Sequence, residues 1–280
     1  GTSNIMKILH ITPHLGGGLG AVILALVAKD ANDHSIISLD INKNADWQQA
    51  NADVYNGAYF FGNFHTFLPE RIAAADIVVL HWGGNHPLLY DIMVNFHFPP
   101  CRLVTWAHAT GIHPPFVISK RLKEFPDRFI YTSPVGAGQE DEVIWSTVGV
   151  DKFLNLKREP HEGFIVGFTG TADFGKLDRN FIKLCAAVNV PGVKFVVCSG
   201  DSQQHLIDEA KELGVLDRFE FMGRVPSILP YLAKFDVFGY PLQPKHFGTC
   251  EQALGEAMAA GCVPVVMDNP TEKHIVKHME

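Results

Sequence analysis

Short runs of β-branched and aliphatic residues recur along this chain with helical patterns between them, and that rhythm restricts the fold more than any other feature. The first series is KILHIT (7–12), AVILALVAKDA (21–31), SIISLDI (35–41), ADIVVLHW (75–82), RLVTWAH (102–108) and RFIYTS (128–133). Parallel strands need a crossover between them, and a helix is the usual crossover, so the alternation predicts an α/β chain with helices on both faces of a parallel sheet. From Ser146 the segment STVGVDKFLNLKREPHEG turns polar and loop-like. A domain boundary is expected there, giving residues 1–148 and 149–280. A second series follows: FIVGFTG, DRNFIKLCAAV, VKFVVCSG, QQHLIDEAKELGV, FEFMGRV, ILPYLAKF, VFGYPLQ, EQALGEAMAAG, VPVVMD and a last helical pattern, HIVKHME. The two halves read as two Rossmann-like domains, whose ligand sites are expected at the carboxyl ends of the strands, on either side of one cleft.

Composition excludes several partners. With 30 acidic and 23 basic residues and a net charge of −7, the chain has no global attraction for nucleic acid or an anionic membrane, so any phosphate must be met locally. The five cysteines, Cys101, Cys185, Cys198, Cys250 and Cys262, lack CxxC spacing and sit mostly in apolar runs, as reduced core thiols do. Together with the lack of a signal-peptide pattern and of an apolar run near the roughly 20 residues that span a bilayer, this points to the cytoplasm.

Four places carry chemistry. HLGGGLGAVILALV (14–27) follows the first strand, and its glycines, Gly17 and Gly18 among them, let backbone approach a ligand at a helix N-terminus. The same turn fits a dinucleotide fingerprint through Gly16, Gly18 and Ala21, with Asp40 ending the next strand, and it also fits a tight turn without a ligand. In WAHATG (106–111), His108 closes a strand and is expected to face the site; His81 in VVLHWGG is a second candidate. In VGFTGTADFGKLDRNF (166–181), Lys176 and Arg179 lie at a Gly-rich strand-to-helix turn, where cations suit an anionic ligand, although solvated first-turn residues would look alike. The fourth place is FGTCEQALGEAMAAGCVPVVMD (247–268). Glu251 falls in the first turn of its helix, where a carboxylate can bond its own capping amides. Glu256 stands among Ala253, Leu254, Ala257 and Met258, and a carboxylate so placed needs a partner such as a ribose diol.

These residues resemble the large retaining GT-B family of glycosyltransferases (group 1 type), whose signature is a glutamate, seven residues and a second glutamate. The likeness runs from the GGGLG turn through WAHATG and STVGVDKF to FMGRVPSILPYLAKFDVFGYPL and EQALGEAMAAGCVPVVMD. The resemblance implies transfer of a sugar from a nucleotide-sugar donor with retention of configuration, without metal or other cofactor. It implies that Glu256 holds the donor ribose, Lys176 the pyrophosphate, and the backbone at Arg224 and Val225 the base, while Gly17 and Gly18 approach the phosphates or acceptor and His108 contacts the transferred sugar. Gly248, Thr249 and Glu251 complete the donor side.

Two positions depart from the pattern: Gly248 stands where the first signature glutamate belongs, and Phe168 aligns with a phosphate-binding arginine. The family also continues for several helices, so an end at Glu280 implies an incomplete second domain. Saccharide or lipid-linked acceptors are implied, and through the latter peripheral contact at the inner face of a membrane, although no strongly basic amphipathic helix supports it. The acidic cluster from Glu140 to Glu142 is expected on a solvated helix and holds no DxD motif. Two other readings stay open: a non-catalytic nucleotide- or sugar-binding relative, from Gly248 and Phe168, and an NAD-dependent oxidoreductase, from the fingerprint.

Overall fold

The computed structural model describes residues 4–147 and 149–278; Val148, at the expected boundary, and the two ends lie outside the described residues. Two compact units form, one of residues Gly1–Val148 with Phe247–Thr249, the other of Gly149–His246 with Cys250–Glu280.

In the first unit the chain runs β1 (Lys7–Thr12), α1 (Gly17–Lys29), β2 (Asp33–Ser38), β3 (Asp53–Asn56), α2 (Phe64–Ala74), β4 (Ile77–Trp82), α3 (Pro87–Asn95) and β5 (Leu103–Ala107). A two-residue hairpin follows, β6 (Ile112–His113) and β7 (Phe116–Val117), then α4 (Lys120–Glu124), β8 (Arg128–Tyr131) and β9 (Glu142–Val143). The sheet has the order β3-β2-β1-β4-β5-β8-β9 and every pairing in it is parallel. Alternation along the strands divides the core. Leu9, Ile11, Val78 and Leu80 pack with Phe67, Leu68 and Ile72 of α2 and with Leu89 and Ile92 of α3, whereas Ile36 faces Ile23 and Val27 of α1. Glu142 belongs to the edge strand β9, not to a helix as the charge run implied.

The second unit continues with α5 (Asp151–Leu154), β10 (Phe164–Thr169), α6 (Phe181–Ala186), β11 (Val193–Cys198), α7 (Gln204–Glu212), β12 (Phe219–Phe221) and α8 (Leu229–Leu232). It ends with β13 (Val237–Tyr240), α9 (Gln252–Ala259), β14 (Val263–Val266) and α10 (Pro270–Ile275). Its sheet, β12-β11-β10-β13-β14, is again wholly parallel. Gly167 lets β10 and the Phe235 ring close up, since a Cβ there would stand 2.0 Å from that ring. The last helix comes earlier than HIVKHME predicted: Pro270 at its first position starts it, and Val276 has left the helix at φ −113°. Cys185, Cys198 and Cys262 are buried, and none of the five cysteines is in a disulfide. No described helix is long and apolar enough to cross a membrane.

Candidate functional site

In the second unit the turn after β10 is stitched to the loop after β13. Leu177 and Leu242 form an isolated antiparallel bridge, the Asp178 amide donates to the Pro241 carbonyl at 2.9 Å, and the Gln243 amide to the Lys176 carbonyl at 2.8 Å. This sets Lys176 beside the start of α9, with Nζ 3.2 Å from Glu251 Oε2. Glu251 does not cap its helix as the first-turn reading implied. It is the N-cap residue itself, held at φ 44° and ψ 69°, and its side chain makes no capping bond but turns into the protein. Left-handed dihedrals are costly for a residue with a Cβ and persist only where surrounding contacts enforce them. Here Tyr240, the last residue of β13, donates its hydroxyl to Glu251 Oε2 at 2.6 Å. Burial first, then the Glu251 charge, pushes the Tyr240 phenol well above its ordinary range, so it keeps the proton it donates. The other carboxylate oxygen, Oε1, is buried without a hydrogen-bond partner, with His246 Nδ1 at 3.7 Å.

His246 extends the cluster. Its Nε2 lies 2.6 Å from Glu272 Oε1, and Asn269 Nδ2 donates to Glu272 Oε2 at 2.6 Å and to the Leu242 carbonyl at 3.1 Å. Tyr240, His246, Asn269 and Glu272 were missed in sequence. Asn269 and Glu272 have the spacing of a capping box, which disguises them, yet the Asn269 side chain caps nothing.

The remaining candidates of this unit have other partners. Glu256 is half-buried and accepts from Gln252 Nε2 at 3.2 Å; burial raises its carboxyl pKa, with Gln252 and Lys152 opposing. Glu251 shares the inward face of α9 with Leu254 and Ala257, and Glu256 does not. Arg179 lies over the Phe174 ring at 4.9 Å. Arg224 is exposed after β12 and lies across Gly200, where a Cβ would meet its Nη2 at 3.1 Å; Val225 packs on the core. Phe168 is 1% exposed, stacked against Tyr240 at 5.7 Å, so this position supplies packing where a cation was sought. A cavity of about 380 Å³ opens in the unit, but Val166, Phe168, Phe181, Cys185 and Val266 line it and offer a pyrophosphate no cationic side chain.

In the first unit, the turn after β1 is pinned by Asn42, whose Oδ1 accepts from the Leu15 amide at 2.7 Å. Helix α1 starts without a side-chain cap or an acidic residue in its first turn, an arrangement that suits an anion. Gly17 has φ +58°, and a Cβ on Gly17 or Gly18 would meet nothing within 4 Å. The glycine that packs is Gly20, where a Cβ would lie 2.0 Å from the Leu15 carbonyl oxygen. β2 ends at Ser38, two residues before Asp40, and Asp40 Oδ2 is 2.8 Å from His86 Nε2. His14, next to them, has its pKa lowered by burial and by His86.

His108 follows β5, its amide donating to the Trp82 carbonyl at 2.7 Å, and its half-buried ring is 2.9 Å from His81. Burial lowers its pKa to about 3, so the ring is neutral at ordinary pH. His81 is fully buried within β4 and does not face solvent. Gly248 and Thr249 group with this unit, where the buried Thr249 hydroxyl accepts from Thr132 at 2.7 Å. Among the described residues, no group of three or more His, Cys, Asp or Glu could hold a metal ion.

The model of one protein family, glycosyl transferases group 1, matches residues 151–280 of this chain. No curated protein matches the sequence. Among solved structures, the chain is similar to Anabaena HepE in complex with UDP-glucose, at 17% identity and TM-score 0.75, over 98% of this chain and 83% of that one. It is similar to a glycosyltransferase from Rickettsia africae at 12% identity and TM-score 0.69, covering 99% and 83%, and to the apo lipopolysaccharide outer core galactosyltransferase WaaB at 15% and 0.63, covering 95% and 83%. The fold is therefore that of the GT-B glycosyltransferases, with Rossmann-like domains.

Proposed function

We propose that this chain is a group 1 glycosyltransferase that moves a sugar from a nucleotide-sugar donor to a saccharide or lipid-linked acceptor with retention of configuration. The observation that carries the reading is the Lys176–Glu251 pair, 3.2 Å apart, within the residues that the family's model matches. As the glycosidic bond breaks, negative charge develops on the departing nucleoside diphosphate. A cation already held in place stabilises that charge without reorganisation. Lys176 takes this role in the second unit. Glu256, half-buried and partnered through one oxygen by Gln252, receives the ribose hydroxyls, and the backbone at Arg224 and Val225 meets the base. Gly17 and Gly18, unobstructed at the start of α1, approach the phosphates or the acceptor from the first unit, and His108 contacts the transferred sugar.

No metal or organic cofactor enters this scheme, and the donor's own phosphate receives the acceptor proton. HepE is held with UDP-glucose, which makes UDP the first probe for this chain. The reaction is assigned to the cytoplasm, at the inner face of the membrane where the acceptor is lipid-linked.

A second reading, a nucleotide-binding relative without transfer chemistry, draws on Phe168, whose burial removes one phosphate-binding cation from the turn. Thermal shift against UDP, GDP and NAD separates the readings, because a ligand that binds only the folded state raises the melting temperature. Stabilisation by UDP or GDP, with hydrolysis or transfer of the matching nucleotide sugar, is the expected result. Stabilisation without turnover favours the binding relative, and stabilisation by NAD alone overturns the transferase.

A further inference from the structure

Four histidines cross the first sheet in single file. His34 of β2, His10 of β1, His81 of β4 and His108 beyond β5 are linked ring to ring at 3.0, 2.9 and 2.9 Å, and His34 Nε2 lies 2.7 Å from Asp30 Oδ2. Strand register explains the file. Ile8 lies opposite His34, Val79 opposite His10, and Trp106 opposite His81, so each histidine stands two residues beyond the partner of the one before. Residues two apart share a face of a strand, and the rings therefore climb one face diagonally towards the carboxyl ends.

A neutral imidazole has one N–H and one lone pair, so the direction of any link in such a file dictates the next. The Asp30 end sets that direction. Its carboxylate also accepts from the Asn32 amide at 3.2 Å and from Asn32 Nδ2 at 2.8 Å, which favours the ionised form, and an ionised carboxylate can only accept. As a neutral ring, His34 then carries its proton on Nε2 and accepts at Nδ1 from His10 Nε2. His10 in turn accepts at Nδ1 from His81 Nε2, and His81 at Nδ1 from His108 Nε2. The last ring is left with its lone pair on Nδ1. Burial keeps the inner rings neutral, as the order requires: it lowers His10 and His108 to about 3 and His81 well below its usual value.

We propose that Asp30, acting through His34, His10 and His81, sets the tautomer of His108, so that Nδ1 at the carboxyl end of the sheet is a hydrogen-bond acceptor for a saccharide hydroxyl. The tautomer stands on the ring-to-ring geometry of the buried, neutral file; the hydroxyl rests on the transferase reading. Asp30 and the three rings behind His108 are positioning residues. A carboxylate directly behind His108 would orient it equally well but would place a negative charge close to an anionic donor. Relaying the same information through three neutral rings leaves the charge on Asp30, whose side chain is 34% exposed to water.

Long-range ¹H–¹⁵N correlation of the histidine rings at pH 7.5 tests this directly. Wild type should show His108 as one tautomer, with a proton on Nε2 and a bare Nδ1. Asp30→Asn should give both tautomers, and Asp30→Lys, which offers only donors, should invert the file and put the proton on Nδ1. With a nucleotide-sugar assay, Asp30→Lys should lower kcat at least tenfold while the Kd for UDP changes less than twofold. A proton on Nδ1 in wild type, or a tautomer unchanged in both variants, overturns the proposal. UDP titration of the same wild-type sample keeps the two readings apart: tautomers as stated without UDP binding would sink the transferase and leave the relay standing.

Discussion

Lys176 reaches Glu251 across 75 residues of sequence, and the pair meets because two loops are joined by the Leu177–Leu242 bridge. The Glu251 side chain is wholly buried and that of Lys176 is 21% exposed, so the pair joins an interior carboxylate to a cation that still reaches solvent. A buried carboxylate that lost its donors would be strongly destabilised.

Lys176→Ala should therefore act twice. Affinity for UDP should fall at least tenfold, about 1.4 kcal/mol or more, while uridine binding stays nearly constant. Equal losses for both ligands in calorimetry would remove Lys176 from the phosphate site. Folding stability should also drop, by an order of 1–3 kcal/mol, from the Glu251 charge left with fewer partners.

Tyr240→Phe keeps the ring that stacks on Phe168 and deletes only the hydroxyl bonded to Glu251. A cost of about 1–3 kcal/mol in urea unfolding is expected, since a hydrogen bond to a charged, buried acceptor is lost. A change under a few tenths of a kcal/mol would show that the Glu251 carboxylate does not depend on this donor.

For Glu256→Gln the expected result is a loss of nucleotide affinity on the order of 1–3 kcal/mol, as charge-assisted hydrogen bonds to a ribose diol are weakened. Unchanged affinity in calorimetry would take Glu256 out of the donor site.

Acid should weaken the first unit before it touches its carboxylates. His10, His81 and His108 all have folded pKa values below 6.5, so the unfolded chain binds protons that the folded one refuses. Their contribution is complete above pH 6.5 and falls as pH drops towards 3. For His10, lowered from 6.5 to about 3, the loss between pH 7 and pH 4 is about 3 kcal/mol. Urea midpoints over that range should decline steeply, and less so in a His10→Gln variant; parallel declines would assign the acid sensitivity to other groups.

Two neighbouring glycines should behave differently. Gly20→Ala forces a Cβ against the Leu15 carbonyl at 2.0 Å and should cost about 1–3 kcal/mol or more, as overpacking does. Gly18→Ala meets nothing within 4 Å and should leave the melting temperature almost unchanged, so any loss of nucleotide or acceptor affinity it causes reports on the ligand. A Gly18→Ala protein that melts as low as the Gly20 variant would contradict the open space around Gly18.

The parallel α/β character was legible in the sequence because strand and helix periods are local: KILHIT, ADIVVLHW and VKFVVCSG declare themselves within six or eight residues, and Gly16 to Gly20 mark a strand-to-helix turn by composition alone. Lys176, Glu251 and His108 could be nominated in the same way, each from its place at the end of an element. Their partners could not. Tyr240, His246 and Glu272 join Glu251 only after β10, β13 and α10 have been brought together, and the local pattern at Asn269–Glu272 argues for a cap that does not form. His10, His34, His81 and His108 are scattered over 99 positions of a chain holding 14 histidines, and nothing in their spacing relates one to another. Strand order and register place each ring within about 3 Å of the next, since a parallel sheet sets residues from four separate segments side by side on one face. Sequence carried the periods that make the elements, and only the tertiary pairing of those elements decided which polar side chains share a dry interior and must satisfy one another there.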